Sequence, residues 1–275
     1  INDSYAFTIE NWLRTKHFKF PKNLLRRLEL KAAMRFEATT YEEFDIVHTM
    51  THHDAMYLHG LNPRIRTCVI PNGVDQTAFR VCPCDPAIRN VVFVGGLGPE
   101  NLPALLRILQ TWNGVVDRYP ESRFHVVGKT NQKARDAIRA AGGSTVIVHG
   151  YIESLNDAYK LAPIVIVPND KTSGLVNKAI EAMAAGRVVV GFDSTLASIR
   201  DIQIGRHCVG VSSIEEFSSA ICSLFENPTY VAKVQISGRQ FAEASFHWEQ
   251  RAVEYEAMYS VAADIALRKK ANSKP

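Results

Sequence analysis

The 275 residues predict an α/β protein: a doubly wound parallel sheet, preceded by a partial α/β segment and followed by a helix. From residue 89 onward, short Val- and Ile-rich runs recur, each followed by a glycine turn and then by a helical apolar period. Runs that are apolar throughout suit strands buried on both faces of a parallel sheet. Right-handed crossovers then bring the C-terminal ends of the strands to one edge, where open α/β sheets bind ligands. Gly95, Gly96, Gly128, Gly150 and Gly174 all fall on that edge.

Residues 1–45 are helix-prone and basic. Between Trp12 and Arg35 stand Arg14, Lys16, Lys19, Lys22, Arg26, Arg27, Lys31 and Arg35, against the single acid Glu29. Asn23, after Pro21, is placed to cap a helix running to about Tyr41, with Leu24, Leu25, Leu28, Ala32 and Phe36 as its apolar side. Two readings fit this stretch: a solvated basic face on a packed helix, or a surface that rests on an anionic membrane with Trp12, Phe18 and Phe20. A short strand over 44–51, a helix over 52–59 and a strand over 66–71 follow, ending in the turn signal Pro71-Asn72-Gly73. The polar segment 75–89 reads as a linker.

Strands are then expected at 90–94, 124–127, 145–149, 164–167, 188–191 and 208–211. The helices between and after them fall at about 101–118, 131–140, 154–161 and 214–226, with a short one between the Gly174 loop and a stop at Gly186, and 232–270 is helical.

A net charge of +4 does not by itself imply a nucleic-acid partner. The five cysteines, Cys68, Cys82, Cys84, Cys208 and Cys222, are odd in number and lack C-x-x-C spacing. They read as reduced thiols of a cytoplasmic protein, with neither disulfide nor structural metal. The apolar runs are strand-length, far short of a membrane span. The chain opens at Ile1 in what reads as mid-domain sequence, so a truncated or partial protein is expected.

The stretch from Pro168 to Gly191 carries the strongest sign of chemistry. Val176, Ala179, Ile180, Met183 and Ala184 form one apolar helical face, while Asn177, Lys178 and Glu181 gather on another. A glycine before a helix start admits an anion to free N–H groups and the positive dipole end. Glu181, further in, could accept hydrogen bonds from the hydroxyls of a ribose attached to that anion. An ordinary amphipathic helix between two strands satisfies the same pattern.

Six pieces in this order resemble the C-terminal half of a GT-B glycosyltransferase of the retaining family 4. They are Ile70-Pro-Asn-Gly-Val-Asp75, Val92-Phe-Val-Gly-Gly-Leu97, Val126-Val-Gly128, Val148-His-Gly-Tyr-Ile152, Gly174-Leu-Val-Asn-Lys-Ala-Ile-Glu-Ala-Met-Ala-Ala-Gly186 with Val188-Val-Val, and Phe246-His-Trp248 after Gly238-Arg239. The resemblance implies a remnant of the N-terminal GT-B domain at 1–72, a hinge at 73–89, a nucleotide-sugar-binding Rossmann-like domain at 90–246, and a crossing helix and tail at 247–275. It implies transfer of a sugar from a nucleoside-diphosphate sugar to an acceptor hydroxyl, with retention, and with no cofactor or metal. The acceptor would be a carbohydrate or a lipid-linked group.

Residue by residue, Glu181 corresponds to the ribose-holding second glutamate of the family's E-x7-E motif, Gly174, Leu175 and Val176 to the diphosphate-binding helix start, and Ile152 to the nucleobase loop. The sequence departs from the family where Ser173 replaces the first glutamate. It departs again where Gly96, and approximately Glu100, stand in place of the Arg and Lys that neutralise the diphosphate. Lys178 or Lys171 would then supply that charge. Gly95, Gly96, Ile152, Lys171, Ser173, Gly174, Leu175, Val176, Lys178 and Glu181 are thus the expected nucleotide-sugar contacts, and no catalytic residue is assigned. The alternatives are a non-catalytic nucleotide-sugar-binding fragment, a GT-B epimerase or phosphorylase, and an NAD-binding Rossmann protein. Against the last, Gly95-Gly96-Leu97-Gly98 lacks G-x-G-x-x-G spacing.

Overall fold

The computed structural model describes residues 3–15, 20–75, 85–98, 101–170 and 176–272. It begins with helices α1 (Tyr5–Thr15) and α2 (Lys22–Thr40), strand β1 (Val47–Thr49), helix α3 (His52–Leu61) and strand β2 (Thr67–Val69). β1 and β2 pair in parallel. Glu37 of α2 is buried and accepts from Ser4 Oγ at 2.8 Å and from the Tyr5 backbone N–H at 2.7 Å, while Asp54 accepts the Ser4 backbone N–H at 3.0 Å. Two acidic side chains from α2 and α3 therefore satisfy the free amides at the start of α1.

The apolar side expected for the second helix is corrected here. Leu24, Leu25, Leu28 and Phe36 are all at least half exposed. Ala33, Leu30 and Met34, on the opposite side, pack with Ala6, Ile9, Leu13 and Tyr57. α1 occupies that second face, and its pairing with Glu37 fixes which way α2 turns.

A six-stranded, all-parallel sheet follows, built from β3 (Asn90–Val94), β4 (Arg123–Val127), β5 (Val146–Gly150), β6 (Ile164–Val167), β7 (Val188–Phe192) and β8 (Val209–Val211) in the order β5-β4-β3-β6-β7-β8. Its helices are α4 (Asn101–Val116), α5 (Gln132–Gly142), α6 (Leu155–Tyr159), α7 (Asn177–Ala184), the short α8 (Asp193–Leu196), α9 (Glu216–Glu226) and α10 (Pro228–Ser245). Alternate residues of each strand feed two cores, as the two-residue strand period requires. Val91, Phe93, Phe124 and Val126 pack beneath α4, α5 and α9, whereas Val92, Val94, Val127 and Val165 pack beneath α6, α7 and α10. The predicted doubly wound sheet is present, and β3 and β6 flank the point where its strand order reverses.

The helical 232–270 stretch is broken at Phe246–His247 into α10 and α11 (Trp248–Asn272). At the break the Val74 N–H donates to the Phe246 carbonyl at 2.7 Å. Farther along α11, Tyr255 Oη lies 3.2 Å from His48 Nε2 of β1, and Lys269 pairs with Asp45 at 2.7 Å. The last helix thus returns to the first small sheet. Cys68, Cys208 and Cys222 are free thiols, and burial pushes Cys208 up to about 12, while Cys82 and Cys84 lie outside the described residues.

Gly128, just past β4, would place a Cβ 1.9 Å from the Gly95 carbonyl oxygen, whereas a Cβ at Gly96 would meet nothing within 4 Å. Gly128→Ala is expected to destabilise the fold by about 3 kcal/mol, and Gly96→Ala by under about 1 kcal/mol. Denaturant unfolding of the two variants checks the contrast.

Candidate functional site

The reversal of strand order leaves a crevice at the C-terminal ends of β3 and β6, the position where open α/β sheets hold ligands. Three elements converge on it. β3 delivers Gly95 and Gly96, β6 delivers Asn169, and α7 reaches in with Lys178. The apolar residues predicted to anchor α7 (Val176, Ala179, Ile180, Met183 and Ala184) are all buried. That burial fixes the helix rotation and leaves Lys178 and Glu181, three residues apart, on the same free face, from which Lys178 reaches into the crevice and Glu181 into an adjoining cleft.

On the crevice side, Lys178 Nζ donates to Asn101 Oδ1 and to Asn169 Oδ1, each at 3.0 Å, and lies 5.2 Å from the centre of the Phe93 ring. A Cβ on Gly95 would come within 3.5 Å of that ammonium and 3.1 Å of Phe93, so glycine here keeps the space open.

Next to the crevice, Glu181 and Asn177 line a cleft of about 530 Å³ together with Asn72, Asp75, Glu153 and Trp248. Asn72 Nδ2 donates to Asn177 Oδ1 at 3.1 Å, which ties the segment after β2 to the start of α7. Gly73 lets that segment pass over Trp248: a Cβ there would lie 2.9 Å from the Trp248 Cα. The cleft is lined by carboxylates and amides with one aromatic, a set suited to hydroxyl donors rather than to anions.

Glu181 is mostly buried. Burial raises its carboxyl above the ordinary value; the Tyr159 hydroxyl, which donates to Oε2 at 3.2 Å, and the charge of Lys178 act in the opposite direction. Tyr159 is itself fully buried, and its carbonyl accepts from Arg187 Nε at 2.6 Å.

Of the expected contacts, the structure places Gly95, Gly96 and Lys178 around the crevice and Glu181 in the adjoining cleft, while Val176 is buried in the core at the start of α7. Ile152 is half-buried against the core beneath α7, one residue before the cleft-lining Glu153. Lys171, Ser173, Gly174 and Leu175 lie outside the described residues. Sequence reasoning missed Asn101, Asn169, Tyr159 and the cleft residues Asn72, Asp75, Glu153 and Trp248 as parts of one site. The available signals were an asparagine directly after a strand, at 169, and one at a helix start, at 101.

An acid with a raised folded-state pKa contributes stability that is complete below its ordinary value, about 4.5 for Glu181, and is lost as the pH climbs through the raised value. Unliganded Glu181→Gln is therefore expected to melt above the wild-type chain at pH 8, with the gap closing toward pH 4.5. Thermal melts across that range check it, and a gap that does not change with pH would contradict the burial argument.

Crystal structures similar to this chain share its fold. A variant of S. aureus TarM in complex with Fondaparinux, alpha-GlcNAc-glycerol and UDP is 16% identical with a TM-score of 0.68, over 83% of this chain and 46% of that one. Anabaena HepE in complex with UDP and glucose is 15% identical with a TM-score of 0.69, over 84% and 67%. Sucrose-phosphate synthase from Thermosynechococcus elongatus is 18% identical with a TM-score of 0.71, over 94% and 66%. The chain thus spans just under half the length of the TarM chain and about two thirds of the other two. No curated protein matches it. The profile of the Glycosyl transferases group 1 family matches residues 88–227, just over half of the chain and a span that holds Lys178, Glu181 and all six strands of the large sheet; the chain belongs to that family.

Proposed function

We propose that this chain holds the donor-binding half of a retaining family 4 glycosyltransferase, which moves a sugar from a nucleoside-diphosphate sugar to an acceptor hydroxyl without a metal or other cofactor. The observation that carries this reading is the division of labour on α7. Lys178 presents a cation at the strand-order reversal, and Glu181, almost a full turn on, presents a carboxylate to a cleft large enough for a nucleoside. Diphosphate at the first and ribose at the second match the chemistry of each. UDP in the complexes of TarM and HepE supports a uridine donor.

As the bond from the anomeric carbon to the phosphate oxygen breaks, charge grows on the leaving diphosphate. A fixed ammonium beside it stabilises that charge more than it stabilises the bound donor. The acceptor oxygen forms the new bond on the same face, and its proton passes to the leaving phosphate. In this reading residues 1–72 are a remnant of the acceptor-side domain, 73–89 a hinge, and 247–275 a crossing helix; the acceptor is a carbohydrate or a lipid-linked group. Nucleotide-sugar binding without turnover is the second reading, since Lys178 and Glu181 are the groups of donor binding.

The expected result is thermal stabilisation by one of the UDP, GDP, ADP or dTDP sugars and none by NAD; stabilisation by NAD alone would overturn the proposal. Lys178→Ala and Glu181→Gln should each weaken donor binding by about tenfold or more, the loss of a charge-assisted hydrogen bond. Release of nucleoside diphosphate in the presence of acceptor separates the enzyme from the binding fragment.

Among the described residues, no helix is long and apolar enough to cross a membrane. The exposed side of α2 favours a peripheral, cytoplasmic attachment instead. Leu24, Leu25, Leu28 and Phe36 share that side with exposed Lys22, Arg27, Lys31 and Arg35. Each cation contributes about 1 kcal/mol on an anionic surface. The chain should co-sediment with phosphatidylcholine vesicles that contain phosphatidylglycerol, and reversing Lys31 and Arg35 to Glu should lower binding by about tenfold or more. Binding that is equal on vesicles of pure phosphatidylcholine would remove the electrostatic basis of this attachment.

A further inference from the structure

We propose that Asn101 and Asn169 are positioning residues that hold Lys178 as a charged, aimed ammonium for the diphosphate of the donor. The proposal rests on the donor-binding reading and names groups which that reading does not use.

The two asparagines come from different elements, one at the start of α4 and one beyond the end of β6, and they converge on Lys178. Besides accepting from the ammonium, they are joined to each other: Asn169 Nδ2 donates to Asn101 Oδ1 at 2.9 Å, and Asn101 Nδ2 donates to the Gly96 carbonyl at 2.7 Å. Asn169 is 6% exposed, and its own carbonyl accepts from Thr195 Oγ1 at 2.7 Å.

This chain of bonds fixes both amide orientations. An ammonium offers only donors, so each Oδ1 must face it; each Nδ2 then has an acceptor on its other side. Rotating either amide would set N–H groups against the ammonium and break the onward bond. The cradle is therefore directional and runs from Gly96 through both asparagines to Lys178.

Its neutrality matters as much as its direction. A half-buried lysine needs polar partners, and a carboxylate in either position would supply them while cancelling the charge. Carboxamide oxygens solvate the ammonium without adding a negative charge of their own. Phe93 presents its ring from below at 5.2 Å, which again favours the cation without neutralising it. Asn101 also fastens the Gly96 carbonyl, so the turn after β3 and the lysine are held as one piece. Glu181, the neighbouring carboxylate, accepts from Tyr159 and feels the charge of Lys178 without being one of the two oxygens of the cradle.

The test uses the full chain with UDP and uridine as probes, in the variants Asn101→Asp and Asn169→Asp. Each change keeps the shape of the side chain and adds the neutralising charge. The expected outcome is a loss of UDP affinity of at least tenfold with uridine affinity unchanged, because the cradle acts on phosphate alone. A purely structural role predicts that both ligands weaken together, and that result would overturn the proposal, as would UDP binding equal to wild type. Asn101 is only half-buried at a helix start, so its variant carries the test should Asn169→Asp fail to fold. A wild-type chain bound by none of UDP, GDP, ADP or dTDP would overturn the donor-binding reading and this proposal with it. A wild-type chain that binds UDP while both variants behave normally would sink this proposal alone.

Discussion

At the reversal of strand order between β3 and β6, the chain leaves the sheet in opposite directions and opens a crevice. The elements around it are held by close backbone contact rather than by bulky side chains. Gly95 donates its N–H to the Val127 carbonyl at 2.9 Å, and Gly128 donates to Gly150 at 2.7 Å. The ends of β3, β4 and β5 are thereby drawn together as one rim, with α7 set against it from the other side. Once that rim is closed and α7 has buried its apolar face, the position of Lys178 follows with little freedom left.

Charged groups are buried in this chain under two different regimes. Glu37 and Asp54 are taken out of water with their oxygens occupied by Ser4, Tyr5 and Thr51, so they serve as fixed caps for α1. Glu181 is also largely out of water and, like that of Glu37, its carboxyl is raised mainly by burial, but it faces a cleft rather than a helix start and accepts from Tyr159. Folding by itself gives little reason to bury a carboxylate in that way. A ligand hydroxyl that donates to it would relieve the cost, which ties the energetic oddity of Glu181 to the cleft it faces.

Much of this was legible in the sequence, because the signals were local. Strand-length Val and Ile runs gave all six strands of the large sheet to within a few residues. The spacing of Val176, Ala179, Ile180, Met183 and Ala184 identified the buried face of α7 and so separated Lys178 and Glu181 from it. The cradle was not legible: Asn101 and Asn169 lie 68 positions apart, and an asparagine near a strand or helix end is usual turn or cap chemistry. α2 misled for another reason. It carries two apolar faces, and periodicity alone could not tell which one α1 would cover. Tyr159 reads as an ordinary core aromatic until its hydroxyl is seen against Glu181.

The cleft beside Glu181 has walls from four separate parts of the chain: the segment 72–75, the start of α6, α7, and Trp248 at the head of α11. Two of those walls are joined directly, since Gly73 lies against Trp248 and Val74 bonds to Phe246. A third is tied in through Asn72 and Asn177. α11 carries the connection onward to β1 through Tyr255 and His48. Whatever fills the cleft therefore rests at once on the sheet that holds Lys178 and on the segment and helix that lead back to the first seventy residues. A ligand held at Glu181, as proposed, would share its contacts with the placement of those residues, so its binding and their placement would be coupled in free energy.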